Sequence, residues 1–469
     1  MSRRPTAVVI GAGVTGLAAA FALADSEGAR VVVLDSSWRA GGKIATEPFA
    51  GVPLDLGPDS FLARVPHAVD LCGRLGLGDE LIAPATGKAW LWVRGRLRPL
   101  PEGLVLGVPS NLAAVARSGI LSPAGVARAA LDLVLPRPAA EGDRSVGDVV
   151  AGRFGAEVHR RLVDPLLGGI HAGRSELLSV AATAPQLDAA ARRGRSLLLA
   201  LRRAAPPPTP GGAVPPVFLS HPAGLERVVD ALTGRLAAAG VELALGEAAT
   251  SVERGAGPGW AVRTDRRRID ADAVIVCVPA PATAGLLDGV APRAGAFARS
   301  VEHSSVVVTA LAYRASDVPA RLDGSGFLVP RTEGRLLTAG TWTSSKWPHL
   351  APAGLVLVRA SAGRYGDERA LQLDDTELVG ALHAELAEAM GLSGPPVEHR
   401  VTRWPGAFPQ YTVGHLDRVA AAEAELAGLP GLEAAGAAFR GLGIPACIAQ
   451  GEAAAARALD HLRSLAPTR

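Results

Sequence analysis

Three glycines in the spacing GxGxxG, at Gly11, Gly13 and Gly16, are followed about twenty residues on by an acid, Asp35. The chemistry that fits these types and this spacing is the binding of a dinucleotide. Gly11 permits a sharp turn, Gly13 lets the backbone approach a pyrophosphate, and Gly16 lets a helix pack close to a strand. The free N–H groups and the positive dipole end of that helix then face the phosphates. Asp35 stands where an acid bonds a ribose hydroxyl, which argues against a cofactor phosphorylated on that ribose. In a chain with 55 glycines a lone match is weak. Here it lies between an apolar run (Ala7–Gly11) and helix formers (Leu17–Ala24), and a second apolar run ends on Asp35.

A second glycine-lined helix start is found near the other end of the sequence. Gly441-Leu-Gly443 leads into Ile444–Pro445 and a run of alanines, and the dipole there favours negative charge such as a reduced flavin carries. Between these ends, Gly57–Pro58 breaks a short strand over Val52–Leu56. The amides there and the Ser60 hydroxyl either meet a flat polar ring system or form an ordinary turn. Arg94, Arg96 and Arg98 alternate along a hairpin-like stretch turning near Gly95, and project from one face. They read as a solvated edge strand or as guanidinium groups awaiting carboxylates. DPLLGGIHAG (164–173) carries His171, a type more often structural than a base.

The elements that must position these residues follow from periodicity. Helices are expected over Val65–Leu77, after Ser122–Pro123, from Ser145, over Gly224–Gly240 and over Asp375–Met390. Strands are expected at Val241–Leu245, Ala249–Arg254, Gly259–Thr264 and Ala271–Ala280, resuming the N-terminal sheet and making the nucleotide domain discontinuous. Further strands at Val301–Arg314 and Gly354–Ser361 suggest a mixed sheet in a second domain. The stretch APPPTPGG (205–212) marks a loop at a domain crossing. A basic helical block punctuated by Arg117, Arg128, Arg137, Arg160 and Arg161 reads as solvated faces or as a surface for an anionic membrane.

With 469 residues, 48% of them hydrophobic and 20% charged, the chain is an ordinary globular protein of roughly three domains. It opens on no signal-peptide pattern and has no spanning apolar run. Cys72, Cys277 and Cys447 are too scattered for a disulfide framework, and a reducing cytoplasm is expected. No CxxC or HExxH spacing occurs, so no metal is expected. The net charge is only +3, with dispersed arginines and three lysines, Lys43, Lys88 and Lys346, which excludes a nucleic-acid partner.

The glycine turn with Asp35 and Arg39-Ala-Gly-Gly-Lys43 resembles the opening of flavin-containing amine oxidases. LGPDSFL (56–62), RPLPEGLVLGVP (98–109), DPLLGGIHAG, RWPGAFPQYTVGH (403–415) and GLGIPACIAQG (441–451) narrow the resemblance to bacterial protoporphyrinogen and coproporphyrinogen oxidases. The resemblance implies an α/β fold with an α+β second domain. A Rossmann-like FAD domain (1–65, 215–285, 402–469) is joined by a mixed-sheet substrate domain (66–99, 190–214, 286–401). A helical domain (100–189), which some relatives seat on membranes, completes it.

It also implies site residues. Gly11, Ala12, Gly13, Val14, Thr15 and Gly16 cradle the FAD pyrophosphate. Asp35 and Ser36 meet the adenosine ribose, with Arg39, Gly42 and Lys43 close by. Gly57, Pro58, Asp59 and Ser60 line the isoalloxazine, the backbone of Val252 meets the adenine, and Trp404, Ile444, Pro445 and Ala446 pack on the flavin end. The segment Arg403–Gly414 lacks the cysteine by which amine oxidases often hold FAD, so the flavin is expected to be non-covalent. Strand Ser304–Arg314 lacks their lysine near flavin N5, which disfavours amine oxidation.

The implied reaction is a six-electron, oxygen-linked oxidation of a porphyrinogen in haem biosynthesis. Coproporphyrinogen III is the expected substrate, protoporphyrinogen IX the alternative, and another flavin amine or carotenoid oxidoreductase the third. Arg96 and Arg98, with Arg64 and His171 behind them, are the candidate partners for the macrocycle propionates; no catalytic base is assigned. Expected partners are the porphyrinogen and dioxygen, with transient contact to haem-pathway enzymes or the inner face of a membrane.

Overall fold

The computed structural model describes residues 4–26, 29–135, 142–193, 195–204, 215–318 and 322–465. Its first sheet has five parallel strands in the spatial order Glu242–Leu245, Arg30–Asp35, Thr6–Ile10, Ala273–Val276, Leu432–Ala434. Thr6–Ile10 and Ala273–Val276 are buried at every position, which is why their sequences are unbroken apolar runs. One face is covered by the opening helix (Val14–Ala24), helix Glu226–Ala238 and the closing helix (Ile444–Ser464). The other carries a three-stranded antiparallel sheet (Ala249–Arg254, Trp260–Thr264, Arg268–Ala271) and helices Ala280–Leu287, Pro292–Ser300 and His415–Ala427.

The expected resumption of the first sheet is therefore only half right. Glu242–Leu245 and Ala273–Val276 join it, but the strands between them form their own antiparallel layer. The physical reason is connection length: a few residues close a hairpin, whereas a parallel return needs a crossover of about a dozen.

The second sheet has seven strands in the order Glu398–Pro409, His303–Arg314, Leu355–Ala362, Leu337–Thr341, Gly326–Leu328, Trp90–Val93, Arg96–Pro99. Helix Asp375–Met390 packs on it, opened by an Asp374/Glu377 capping box and closed by Gly391 at φ +73°. A hairpin from the first domain, Thr46–Phe49 with Val52–Asp55, inserts Phe49 and Leu54 against Ala310, Ala312 and Leu357 of this sheet. The third body is helical. Ser122 and Ser145 cap its helices Pro123–Ala130 and Val146–Phe154 as the sequence predicts.

Packing places several segments away from their expected domains. Residues 66–77 contribute Ala68, Leu71, Cys72 and Leu77 to the first domain's core, and helix Pro292–Ser300 also packs there. Strand Glu398–Pro409 belongs to the second sheet, and Leu187–Leu201 belongs to the helical body. Apolar periodicity reports that a face is buried, not which layer buries it. The proline-rich stretch 205–212 and Arg137 lie outside the described residues. Among the described residues no helix is long and apolar enough to cross a membrane.

The opening and closing helices approach most closely where Gly451 meets Thr15. A Cβ on Gly451 would lie 2.2 Å from the Thr15 carbonyl oxygen, which is backbone and cannot swing away. Gly451→Ala is expected to cost about 1–3 kcal/mol through overpacking. Gly234→Ala, inside helix Glu226–Ala238 with nothing within 4 Å, is expected to be neutral or stabilising. Urea unfolding of the two variants checks this contrast.

Candidate active site

The three glycines of the N-terminal turn do three separate things. Gly11 has φ +110°, and a Cβ there would lie 2.5 Å from the Cys277 carbonyl oxygen. A Cβ on Gly16 would lie 1.8 Å from the Gly11 carbonyl oxygen, so only glycine lets the helix sit this close to its strand. Gly13 has nothing within 4 Å on its Cβ side and thus faces open space, the approach a pyrophosphate requires. No side chain caps the opening helix, so its first amides are not taken by a side chain. The Ala12 amide differs: it donates to Asp35 Oδ2 at 2.7 Å, while the Ser37 amide donates to Asp35 Oδ1 at 2.8 Å. Asp35 therefore fixes the turn as well as standing beside the exposed Ser36.

The Arg39–Lys43 loop lies against this turn through a Gly13–Gly41 bridge and a Gly41 amide bond to the Ala12 carbonyl at 2.8 Å. The Arg39 guanidinium donates to the carbonyls of Ala40, Gly42 and Ile44 and pairs with Glu226 at 3.3 Å. Arg39 thus shapes the loop from within. Lys43 is accessible to water, yet desolvation by surrounding protein lowers its pKa, with Cys447 opposing weakly. That combination marks the wall of a deep cleft. Among the described residues Lys43 forms no ion pair.

The Gly57–Ser60 loop crosses to the second sheet. A Cβ on Gly57 would lie 2.1 Å from the Lys43 carbonyl oxygen, so the two loops are in contact. Trp404 Nε1 donates to the Leu56 carbonyl at 3.0 Å, and Arg359 donates to the Gly57 carbonyl at 2.6 Å. Asp59 is bound by Lys346 Nζ at 2.8 Å and by Trp347 Nε1 at 3.3 Å, with Arg359 at 3.8 Å. Burial alone would raise the Asp59 pKa, but the Lys346 and Arg359 charges outweigh it and hold the carboxyl well below its ordinary range. Ser60 Oγ donates to Asp59 at 3.0 Å. The side chains of this loop are thus engaged with one another and with the second sheet; its backbone is what remains for a ring system.

The closing turn meets the opening one. Gly443 is the uncapped N-cap of the closing helix, followed by Ile444, Pro445 and Ala446. Cys447 Sγ donates to the carbonyls of Gly441 and Leu442 at 3.7 Å, and burial raises its thiol pKa, with Thr15 and the Lys43 charge opposing. Two uncapped helix starts and one ammonium therefore converge. Val252 is buried among Trp260, Val262 and Ile269, on the outer strand of the antiparallel layer, whose far backbone edge is unpaired in that layer. All these residues fit an extended phosphate-bearing cofactor with a flat ring at one end.

Among the described residues no contact brings the arginine candidates together with that cleft, whereas the His171 ring lies 6.2 Å, centroid to centroid, from that of Tyr411, which bonds the closing turn. Arg94 sits in the hairpin turn at φ +54° and pairs with Glu157 at 3.2 Å, not in the strand row. Arg96 is exposed on Arg96–Pro99, the edge strand of the second sheet. Arg98 points at Gly119 of the helical body, where a Cβ would lie 2.5 Å from its guanidinium. Arg64 is exposed. His171 ends helix Asp164–His171, buried, its Nδ1 without a partner and its pKa pushed down to about 4 by desolvation; it is neutral at pH 7. Lys346, Arg359 and Tyr411 carry no site role in the sequence reading, where Lys346 stands only as one of three lysines and Tyr411 only within a motif of the resemblance. Asp59 and Gly57, the partners of Lys346 and Arg359, stand hundreds of residues away, and Ala437 and Gly441, the partners of Tyr411, lie 26 and 30 residues on; local sequence carries no signal of either pairing.

The family described as flavin containing amine oxidoreductase matches residues 14–459, so the chain belongs to it and is a flavoprotein oxidoreductase. It is 36% identical to the coproporphyrinogen III oxidase of Bacillus subtilis, covering 97% of this chain and 98% of that one. It is also 36% identical to the coproporphyrinogen III oxidase of Mycobacterium bovis, covering 94% of each. A crystal structure named for a protoporphyrinogen oxidase of Exiguobacterium superposes with a TM-score of 0.87, at 29% identity over 99% of this chain and 100% of that one.

Breaking the Asp59–Lys346 pair with Lys346→Met is expected to cost about 3 kcal/mol. Because the folded Asp59 pKa is depressed, the stability it confers is present above the ordinary carboxylate pKa of about 4 and is lost as pH falls through the folded value. The gap between wild type and Lys346→Met is therefore expected to narrow as pH drops below about 4. Chemical denaturation across pH checks both the size and the sign.

Proposed function

We propose that this protein catalyses the FAD-dependent, oxygen-linked, six-electron oxidation of coproporphyrinogen III to coproporphyrin III in haem biosynthesis. The observation that carries this reading is full-length similarity to coproporphyrinogen III oxidases combined with a cleft built from both ends of the chain. In this reading the three bodies are a discontinuous FAD domain, a mixed-sheet substrate domain and a helical domain, in a protein of the cytoplasm or the inner face of its membrane.

A bound flavin supplies two-electron chemistry, taking hydride from carbon and passing the electrons to dioxygen as hydrogen peroxide. The residues do the rest. Gly11 to Gly16 admit the pyrophosphate, Asp35 and Ser36 orient the adenosine ribose, and the Val252 backbone receives the adenine. Lys43 and the backbone of Gly57 to Ser60 flank the ring, with Trp404 and Ile444 to Ala446 closing the flavin end. The uncapped start of the closing helix favours negative charge on that end. Arg64, Arg96, Arg98 and His171 remain the candidates for the substrate side; His171, being neutral, would contribute a hydrogen bond rather than a charge. Protoporphyrinogen IX is the second reading, supported by the name of the Exiguobacterium structure.

The flavin is held without a covalent bond: none of the three cysteines lies in the Arg403–Gly414 segment. Acid precipitation of the purified yellow protein is expected to release the flavin into the supernatant, as FAD by chromatography; flavin retained in the pellet would contradict this. In steady-state assays by porphyrin fluorescence, kcat/KM is expected to be at least about tenfold higher for the four-propionate porphyrinogen than for the two-propionate one, about 1.4 kcal/mol of discrimination. Faster turnover of protoporphyrinogen IX would reverse the substrate choice.

A further inference from the structure

The loop between strand Leu432–Ala434 and the closing helix presents the helix start to the proposed flavin, yet has no regular structure of its own to hold it. It is held by side chains from elsewhere. The Tyr411 hydroxyl donates to the Ala437 carbonyl and accepts from the Gly441 amide at 3.0 Å. Its ring stacks on His415, with centroids 4.2 Å apart and planes 20° from parallel. His415 Nε2 donates to the Phe439 carbonyl at 2.8 Å, which places a proton on Nε2; among the described residues its buried Nδ1 has no partner, and burial lowers its pKa. Three backbone groups of one loop, at positions 437, 439 and 441, are thus fixed by two stacked rings.

A strut from the other side completes the arrangement. Gln450, on the closing helix, accepts from the Arg440 amide at 3.1 Å and donates to the carbonyls of Gly441 at 3.1 Å and Ala446 at 3.0 Å. Gly441 is bound from both sides and has φ +132°. A solvated turn would need none of this. A buried hydroxyl and a half-buried amide, with all but one of their bonds aimed at one loop, define its position closely, because each displaced bond leaves a polar group shielded from water without a partner.

We infer that Tyr411, with Gln450 opposite, is a positioning residue that sets the closing helix's N-terminus against the flavin and so tunes flavin affinity and reduction potential. The inference rests on the proposed placement of the flavin end at Ile444–Ala446. Holding a positive dipole end close to the ring stabilises the reduced, negatively charged state. Loosening it disfavours that state and moves the potential to more negative values.

The test uses the full chain as Tyr411→Phe, which keeps the ring stack but removes the hydroxyl that Gly441 donates to. FAD binding to the apoprotein is expected to weaken about tenfold, matching loss of roughly one well-made buried hydrogen bond. The midpoint potential against a reference dye is expected to move negative, and kcat to fall while KM for the porphyrinogen stays within twofold. Gln450→Leu, the second variant, is expected to shift the potential in the same direction and serves if Tyr411→Phe does not accumulate. Ala446→Glu, which places a carboxylate at the helix start, separates the two claims. If it abolishes FAD binding while Tyr411→Phe and Gln450→Leu leave affinity and potential unchanged, the positioning role is overturned and the flavin placement stands. If Ala446→Glu binds FAD normally, the placement and the inference fall together.

Discussion

The contact between the first and last helices at Gly451 and Thr15 is the constraint on which the rest of the site depends. With a Cβ excluded at 2.2 Å, the two helices meet backbone to side-chain hydrogen, and their starts lie side by side. Cys447, within the first turn of the closing helix, lies near enough to Thr15, within the first turn of the opening one, for Thr15 to offset part of the rise that burial imposes on its thiol pKa. Everything between residues 24 and 444 must be arranged so that this meeting is possible. The parallel sheet achieves it by placing the strand before each of these helices in the same layer, with Ala273–Val276 between them.

The second sheet is tied to that layer by a few unlike contacts. The Phe49–Leu54 hairpin packs apolar surface into it, and Asp59 carries a partly buried ion pair to Lys346 and Arg359. A pair largely withdrawn from water is a poor source of net stability, because desolvation consumes much of the Coulomb gain, but it is intolerant of any other geometry. It thus fixes the height of the Gly57–Ser60 backbone over Lys43, with which that loop is in contact. In the proposed reading that placement decides where the loop backbone meets the edge of the isoalloxazine ring.

Much of the fold was legible where periodicity is strong. The opening strand–helix–strand unit, the hairpin at Gly95, the capped helices at Ser122 and Ser145, the helix over Asp375–Met390, and the glycine start at 441–443 all stand where the residue pattern places them. What was not legible has two causes: a partner distant in sequence, and a connection or turn whose geometry the strand residues themselves do not carry. Whether Ala249–Arg254 joins a parallel sheet or folds back on its neighbour depends on connection length rather than on the strand's own residues. Asp59 reads as a loop acid until Lys346 is found beside it. Arg96 and Arg98 do share one strand face as their alternation requires, on an edge strand as one of the two sequence readings had it, but only the fold reveals the helical body that Arg98 points toward. Arg94, in the same row by sequence, is turned out of it by the positive φ of the hairpin turn.

The central claim is that one flavin, held between the two ends of the chain, takes electrons directly from coproporphyrinogen III. Anaerobic titration of the purified holoprotein with coproporphyrinogen III, following flavin bleaching and porphyrin absorbance together, tests it most directly. The account predicts complete bleaching, with three flavins reduced for each coproporphyrin formed, since six electrons leave in pairs. A flavin that stays oxidised in the presence of coproporphyrinogen III but is bleached by an amine would contradict it.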